Sequence, residues 1–305
     1  MTALERMRRR IGALILTNKS FRLFRWLGVH LTPVHFYSPI PDVRDLLARP
    51  GFWDRPSELP GIDINTEGQL RLMEEVLAAY VPECDFRRRP GDDPSEFYTQ
   101  NDYFGYVSAA AMHGLIRHHR PRRIVEVGAG HSTRVITRAA SMNAAEGTPA
   151  ELVVVDPYVD LVTLGGLQAV TELVQLRVEE LPLERFTCLQ EGDLLSIDSS
   201  HAVRTGGDVV FLYLEVLPRL VPGVLVQIHD IFLPFDYPEE WLRRRYFWNE
   251  QYLLHAFLVH NRAYEVLWAQ KYAEAFLPEA YVRIFGARAT EVEGFYSYSF
   301  WLRRV

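Results

Sequence analysis

The chain has little cysteine, no long apolar run and little net charge. Cys84 and Cys188 are the only two thiols in 305 residues and stand far apart without metal-ligand spacing. A disulfide framework and a cysteine-built metal site are therefore excluded, and free thiols in a reducing, cytoplasmic setting are expected. No apolar run approaches the ~18 residues of a membrane span, and the apolar stretch at residues 11–16 is too short for a secretory leader. A net charge of −6 gives no basis for broad nucleic-acid binding. What the chain does have is apolar bulk: 48% hydrophobic and 12% aromatic residues suffice for one large domain with an extension, or two domains.

The organising stretch is residues 122–134, Arg-Arg-Ile-Val-Glu-Val-Gly-Ala-Gly-His-Ser-Thr-Arg. Ile124, Val125 and Val127 read as a buried strand, and Val135, Ile136 and Ala139 resume helical spacing after the turn. Gly128 and Gly130 let the backbone bend sharply and let a ligand approach its peptide groups. A dinucleotide fingerprint needs glycine at position 133, where this chain has Thr133, which disfavours a nicotinamide oxidoreductase. The pattern Glu126-x-Gly128-x-Gly130-x-Ser132 instead resembles the first motif of the class I S-adenosylmethionine-dependent methyltransferases. That resemblance implies cofactor contacts at Glu126, Gly128, Ala129, Gly130, Ser132 and Thr133, with Glu126 near the methionine part.

Around this stretch the chain alternates strands and helices, as a doubly wound parallel sheet requires. Residues 151–156 form an apolar strand ending in Asp156, a carboxylate suited to two ribose hydroxyls. Residues 174–178 make a third strand followed by Glu179, which would flank the adenine. Residues 193–198 and 223–230 give the fourth and fifth strands. A final pair is expected at 264–268 and 295–303. Helical patterning covers 67–80 and 97–117, and Asp42 is placed to cap a short helix over Val43, Leu46 and Leu47.

Two motifs at the strand ends carry the chemistry: Asp198-Ser199-Ser200-His201 and His229-Asp230. Parallel neighbouring strands would bring two carboxylates and two imidazoles together, and a neutral histidine or a divalent metal could remove a hydroxyl proton. These motifs, with Gly223-Val224-Leu225-Val226, Trp248-Asn249-Glu250-Gln251-Tyr252 and Tyr37-Ser38-Pro39-Ile40-Pro41-Asp42, resemble a bacterial family of glycan and natural-product tailoring methyltransferases related to macrolide-sugar O-methyltransferases. The resemblance runs from about residue 30 onward. It implies a Rossmann-like, seven-stranded α/β sheet with an antiparallel last strand and a mainly helical N-terminal extension. Residues 1–95 are then the extension on the acceptor side. Residues 96–305 are the S-adenosylmethionine-binding domain, with a lid-like insertion at about 234–262. It places a cofactor contact and a Mg²⁺ ligand on Asp198 and a general base on His201, with His229 and Asp230 as the adjacent ligand pair. The family has two acids at that pair, so His229 leaves the metal open and serves equally as a second base.

The function expected is O-methylation of a sugar or glycosylated product, with a non-catalytic docking protein of a glycan-assembly complex as the alternative. The N-terminus interleaves Arg6, Arg8, Arg9, Arg10, Lys19, Arg22 and Arg25 with large apolar residues. An amphipathic helix packed on the body with solvated arginines is the expectation there, ahead of docking on anionic lipid or on a partner protein.

Overall fold

The computed structural model describes all residues except 1–6, 8–10, 12–14, 33, 35, 160–165 and 290–296. Seven strands form one sheet: β1 (Arg123–Val127), β2 (Glu151–Val155), β3 (Glu172–Val174), β4 (Leu194–Ile197), β5 (Leu225–His229), β6 (Tyr264–Ala269) and β7 (Ser299–Arg304). Their order is β3-β2-β1-β4-β5-β7-β6. Strands β1 to β5 pair in parallel, whereas β7 runs antiparallel between β5 and β6. This is the Rossmann-like methyltransferase arrangement expected, with an antiparallel last strand.

Period-2 alternation along the strands divides the core. Val125, Val127, Val155, Ile197 and Ile228 face one apolar layer, while Ile124, Val154, Leu194 and Trp301 face the other. The register also sets the site. Val127 is paired with Val155 and with Ile197, and Ile197 with Ile228. Gly128, Asp156, Asp198 and His229 therefore fall at one level, at the point where strand order reverses on either side of β1.

The chain divides into two compact units, Met1–Phe52 with Glu239–Phe247 and Trp53–Pro238 with Trp248–Val305. The boundary expected at 95 falls inside the larger unit for a packing reason. Met73 and Leu77 are fully buried in the same layer as Met112 and Leu115, and Glu83 bridges His113 and Arg117 at 2.8 and 2.9 Å. The insertion expected at 234–262 is likewise divided: Glu239–Phe247 goes with the smaller unit, and the helix Glu250–Leu258 buries Leu254 and Leu258 in the larger. Within the smaller unit, Asp42 caps Val43–Leu47 by accepting from the N–H groups of Arg44 and Asp45.

Three elements differ from the sequence reading. The helix expected from 97 begins only at Tyr106, because the Asn101 side chain ties Tyr98, Tyr103 and Phe104 into a loop by four hydrogen bonds to their backbone. β3 is shorter and earlier, since its last rung is Val174 against Val155. Of the expected last strand, Phe295 lies outside the described residues, and pairing starts at Ser299.

Candidate active site

The bend after β1 is closed by its own side chains. Gly128 has φ +86°, and a Cβ there would stand 1.7 Å from the Asp198 carbonyl oxygen, so only glycine fits. Its N–H donates to Val155 O (2.9 Å), that of Ala129 to Asp156 Oδ2 (3.0 Å), and that of Gly130 to Thr133 Oγ1 (2.9 Å). These three donors are therefore used to hold the bend itself, and those at the start of the following helix are the ones left for a ligand. Thr133 thus does more than break the dinucleotide pattern.

Two cavities open above the bend. One, about 420 Å³, is lined by Tyr103, Phe104, Gly130, Ser132 and Arg134 among others; the second, about 510 Å³, by Tyr158, Glu179 and Ser199 among others. Gly128, Asp156 and Asp198 line both, and either volume suits part of a nucleoside-sized ligand. Asp156 already accepts from the N–H groups of Ala129, Tyr158 and Val159. A carboxylate offers about four acceptor positions, which leaves one for a ribose hydroxyl rather than the expected two.

Glu126 departs further from expectation. It lies fully buried beneath the bend and off both cavity walls, where its Oε1 accepts from Ser132 Oγ at 2.6 Å. Its Oε2 has no hydrogen-bond partner. Burial, with the charges of Asp198 and Asp156 adding to it, pushes this carboxyl up to about 8 against the opposing bonds from Ser132 and Thr133. Glu126 supports the bend from below, and Ser132 presents the surface.

Asp198, His201, His229 and Asp230 do converge. His201 Nε2 lies 3.2 Å from Asp198 Oδ1 and 3.7 Å from Asp230 Oδ2; His229 Nδ1 lies 3.4 Å from Asp198 Oδ2 and 3.5 Å from Asp230 Oδ1. Of the four, only Asp198 keeps substantial open side-chain surface, 29%, and only Asp198 lines the cavities. Both imidazoles are buried behind it. His201 and Asp230 hold φ values of +55° and +56°, a left-handed conformation uncommon for such residues and typical of functional turns.

Partners invisible in the local motifs complete the cluster. Fully buried Glu250 meets His201 Nδ1 at 2.8 Å, and Trp248 packs on the imidazole at 4.4 Å between ring centres. The N–H groups of Asn249 and Glu250 donate to the His201 carbonyl, and Asn249 Oδ1 accepts from Val203 N–H. On the other side, His229 Nε2 meets Ser297 Oγ at 2.9 Å and its ring stacks on Phe104 at 4.8 Å. Ser297 Oγ also accepts from Gly105 N–H and donates to Ser108 Oγ, which fixes His229 Nε2 as a donor.

The electrostatics bear on the expectation of a neutral base. Burial works against charge on His201, but Asp198, Glu250 and Asp230 outweigh it and raise its affinity for a proton well above the ordinary value. His229 is raised in the same way: burial opposes, Asp230 and Asp198 prevail. Both rings thus bind a proton more readily than an ordinary histidine, His201 most of all. Burial alone would raise Asp198, yet His229 and His201 hold it well below the usual carboxylate range. Asp230 goes the other way, to about 6, because burial together with Asp198 and Glu250 exceeds the pull of the two imidazoles.

The same geometry bears on the expected metal ligands Asp198, His229 and Asp230. Among the described residues no group of three or more has the arrangement of a cation site. The carboxylate oxygens a hard cation would take are turned on the ring nitrogens of His201 and His229, and a set that mixes imidazole nitrogen with carboxylate fits the all-oxygen preference of Mg²⁺ poorly.

Comparison with known proteins agrees with this reading of the fold. Residues 125–231, which contain the bend and both strand-tip motifs, match the methyltransferase domain family. An uncharacterized protein from Archaeoglobus fulgidus is 31% identical over 186 residues, spanning 57% of this chain and 82% of that one. Among solved structures, the chain is similar to CmcI with Mg and SAM (20% identity, 63% of this chain and 68% of that one, TM-score 0.34). It is also similar to an O-methyltransferase from Bacillus cereus in complex with SAH (13%, 77% and 91%, TM-score 0.37). A third similar structure is the plantazolicin methyltransferase BamL with a desmethyl analogue and SAH (12%, 79% and 99%, TM-score 0.39). The sheet order and the family match across β1 to β5 lead to one assignment: the chain belongs to the class I S-adenosylmethionine-dependent methyltransferases.

Proposed function

We propose that this methyltransferase acts on a hydroxyl of a saccharide or glycosylated natural product, with Asp198 as the group that meets the acceptor. The observation that supports this most is that Asp198 alone in the buried charge cluster faces both cavities. S-adenosylmethionine, when bound, supplies a methyl on a sulfonium: the acceptor oxygen forms its bond to carbon as the sulfur–carbon bond breaks, leaving neutral S-adenosylhomocysteine.

Asp198 accepts a hydrogen bond from the acceptor hydroxyl, aims its lone pair, and takes its proton. A carboxylate with low proton affinity suffices, because an alkylated hydroxyl is a far stronger acid than the free alcohol. The base role expected of His201 thus moves to Asp198. His201 and His229 keep that carboxylate ionised, and Glu250 and Ser297 position the two rings. Gly128 and Ser132 line the floor under the cofactor; Asp156 and Glu179 are on the side of its nucleoside. Arg134, half-buried on the cavity wall and bonded to the carbonyls of Pro94 and Gly130, is the cation for an amino-acid carboxylate. Protonated His201 supplies positive charge beside Asp198, so no proposed step uses a divalent cation.

The test is calorimetric titration of S-adenosylhomocysteine into the full chain, followed by a screen of glycosylated acceptors for gain of one methyl by mass spectrometry. Binding and transfer to hydroxyl oxygen are expected, insensitive to chelator. Asp198→Asn should lower turnover by at least ~100-fold with cofactor affinity little changed, the scale of a proton-accepting group. Wild-type turnover in that variant would remove Asp198 from the reaction, and chelator-sensitive turnover restored by Mg²⁺ would return the role to a metal.

A further inference from the structure

We infer that the N-terminal basic and aromatic segment is a docking surface for anionic lipid bilayers, an inference independent of the reaction proposed above. Residues 1–30 hold seven basic side chains against the single acid Glu5, in a chain whose net charge is −6. Arg6, Arg8, Arg9 and Arg10 lie outside the described residues; Lys19, Arg22 and Arg25 do not, and their spacing puts them on one face of the helix Asn18–Trp26.

None of the residues of that helix is buried. Trp26 is 80% exposed, and Phe21, Leu23 and Leu27 are exposed with it; Met7, Ile11 and Ile15, at four-residue spacing, are exposed as well. Beyond the helix Val34 and Phe36 stand 81% and 93% open. A nine-residue helix is marginal in water by itself, and so large a run of apolar side chains in contact with solvent marks an interaction surface.

Charge decides what covers it. A second copy meeting the same face would set one group of basic residues against another. Nucleic acid would engage the basic residues and leave the leucines, isoleucines and phenylalanines in water. An anionic bilayer meets both needs at once: its headgroups attract the lysine and arginines, and its interfacial zone takes tryptophan and the aliphatic side chains. Among the described residues no helix is long and apolar enough to cross a membrane, so the contact is with the surface.

Co-sedimentation of the full chain with phosphatidylcholine vesicles, with and without phosphatidylglycerol, tests this. Partition is expected onto the phosphatidylglycerol vesicles only, weakening as salt is raised. Lys19→Glu, Arg22→Glu and Arg25→Glu together should weaken it by at least ~100-fold, since each basic residue near an anionic surface contributes about a factor of five. Trp26→Ser should weaken it by ~10-fold. S-adenosylhomocysteine binding is measured alongside and should stay at its wild-type level in both variants, which separates loss of docking from loss of fold. Equal partition onto neutral vesicles, or none onto anionic ones at low salt, overturns the inference. So does concentration-dependent self-association without lipid that Trp26→Ser abolishes, because the face would then belong to a second copy.

Discussion

The glycine bend after β1 and the charge cluster beyond β4 and β5 share a wall at Asp198, yet they are built on opposite terms. In the bend every backbone donor from Gly128 to Gly130 has a partner, and the fold there is fixed by sterics and by bonds within a few residues of sequence or one strand away. In the cluster two buried carboxylates and two buried imidazoles gather behind the partly open Asp198, and His229 Nδ1, Asp230 Oδ1 and Glu250 Oε1 have no hydrogen-bond partner. Buried polar atoms left without a hydrogen bond are costly, and those of ionisable groups beside a cavity mark a place where chemistry is done. The bend is a finished binding floor; the cluster is a set of charges held ready.

Substitutions at two glycines give the sharpest test of the finished floor. Gly128→Ala places a methyl 1.7 Å from the Asp198 carbonyl at a positive φ, whereas a Cβ on Gly130 meets nothing within 4 Å. Gly128→Ala should cost more than about 4 kcal/mol in urea unfolding, in the range reserved for severe steric conflict, and abolish cofactor binding. Gly130→Ala should leave stability within about 1 kcal/mol. Equal effects would mean that close approach to β4 does not define the bend.

On the cluster's side, Glu250→Ala removes the carboxylate at 2.8 Å from His201 Nδ1 and leaves a buried imidazolium short of a counter-charge. A loss of about 3 kcal/mol is expected, as for breaking a buried ion pair. The NMR titration of His201 should move toward the ordinary histidine value in the same variant. A stability loss with the titration unmoved would reduce Glu250 to a packing residue.

Glu126 joins the two regions and predicts a pH dependence of definite sign. Its folded-state value of about 8 exceeds the ordinary 4.5, so between those limits the folded chain holds a proton that the unfolded chain has released. Stability from this group is full below about pH 4.5 and falls as pH rises toward 8. Glu126→Gln should therefore raise the melting temperature more at pH 8 than at pH 5. A gain that is the same at both would show that the carboxyl is not held protonated in the fold.

The contrast also explains what could be read in the sequence. The bend was legible because Gly128, Gly130 and Thr133 act through local geometry, and the strand order followed from alternating apolar runs. Asp198, His201, His229 and Asp230 could be brought together because parallel strands end at one level. Their protonation could not be read, since it depends on Glu250 and Ser297, which are 49 and 68 residues from the histidines they hold. Nor could the burial of Glu126 be read: an acid at the end of a strand looks the same in one dimension whether it points up to the ligand or down into a layer.

Arg134 is the residue at which the two regions can be told apart with ligands alone. Its guanidinium is bonded to two backbone carbonyls and lines the cavity beside Gly130, where burial lowers its proton affinity. If it meets the cofactor's carboxylate, Arg134→Met should weaken S-adenosylhomocysteine by about 10-fold, the scale of one charged hydrogen bond. Methylthioadenosine, which lacks the amino-acid group, should bind the variant and the wild type alike. A matched loss for both ligands in calorimetry would mean that the substitution disturbs the bend itself, and the carboxylate would have to be held by the free N–H groups at the start of the helix His131–Ala145 instead.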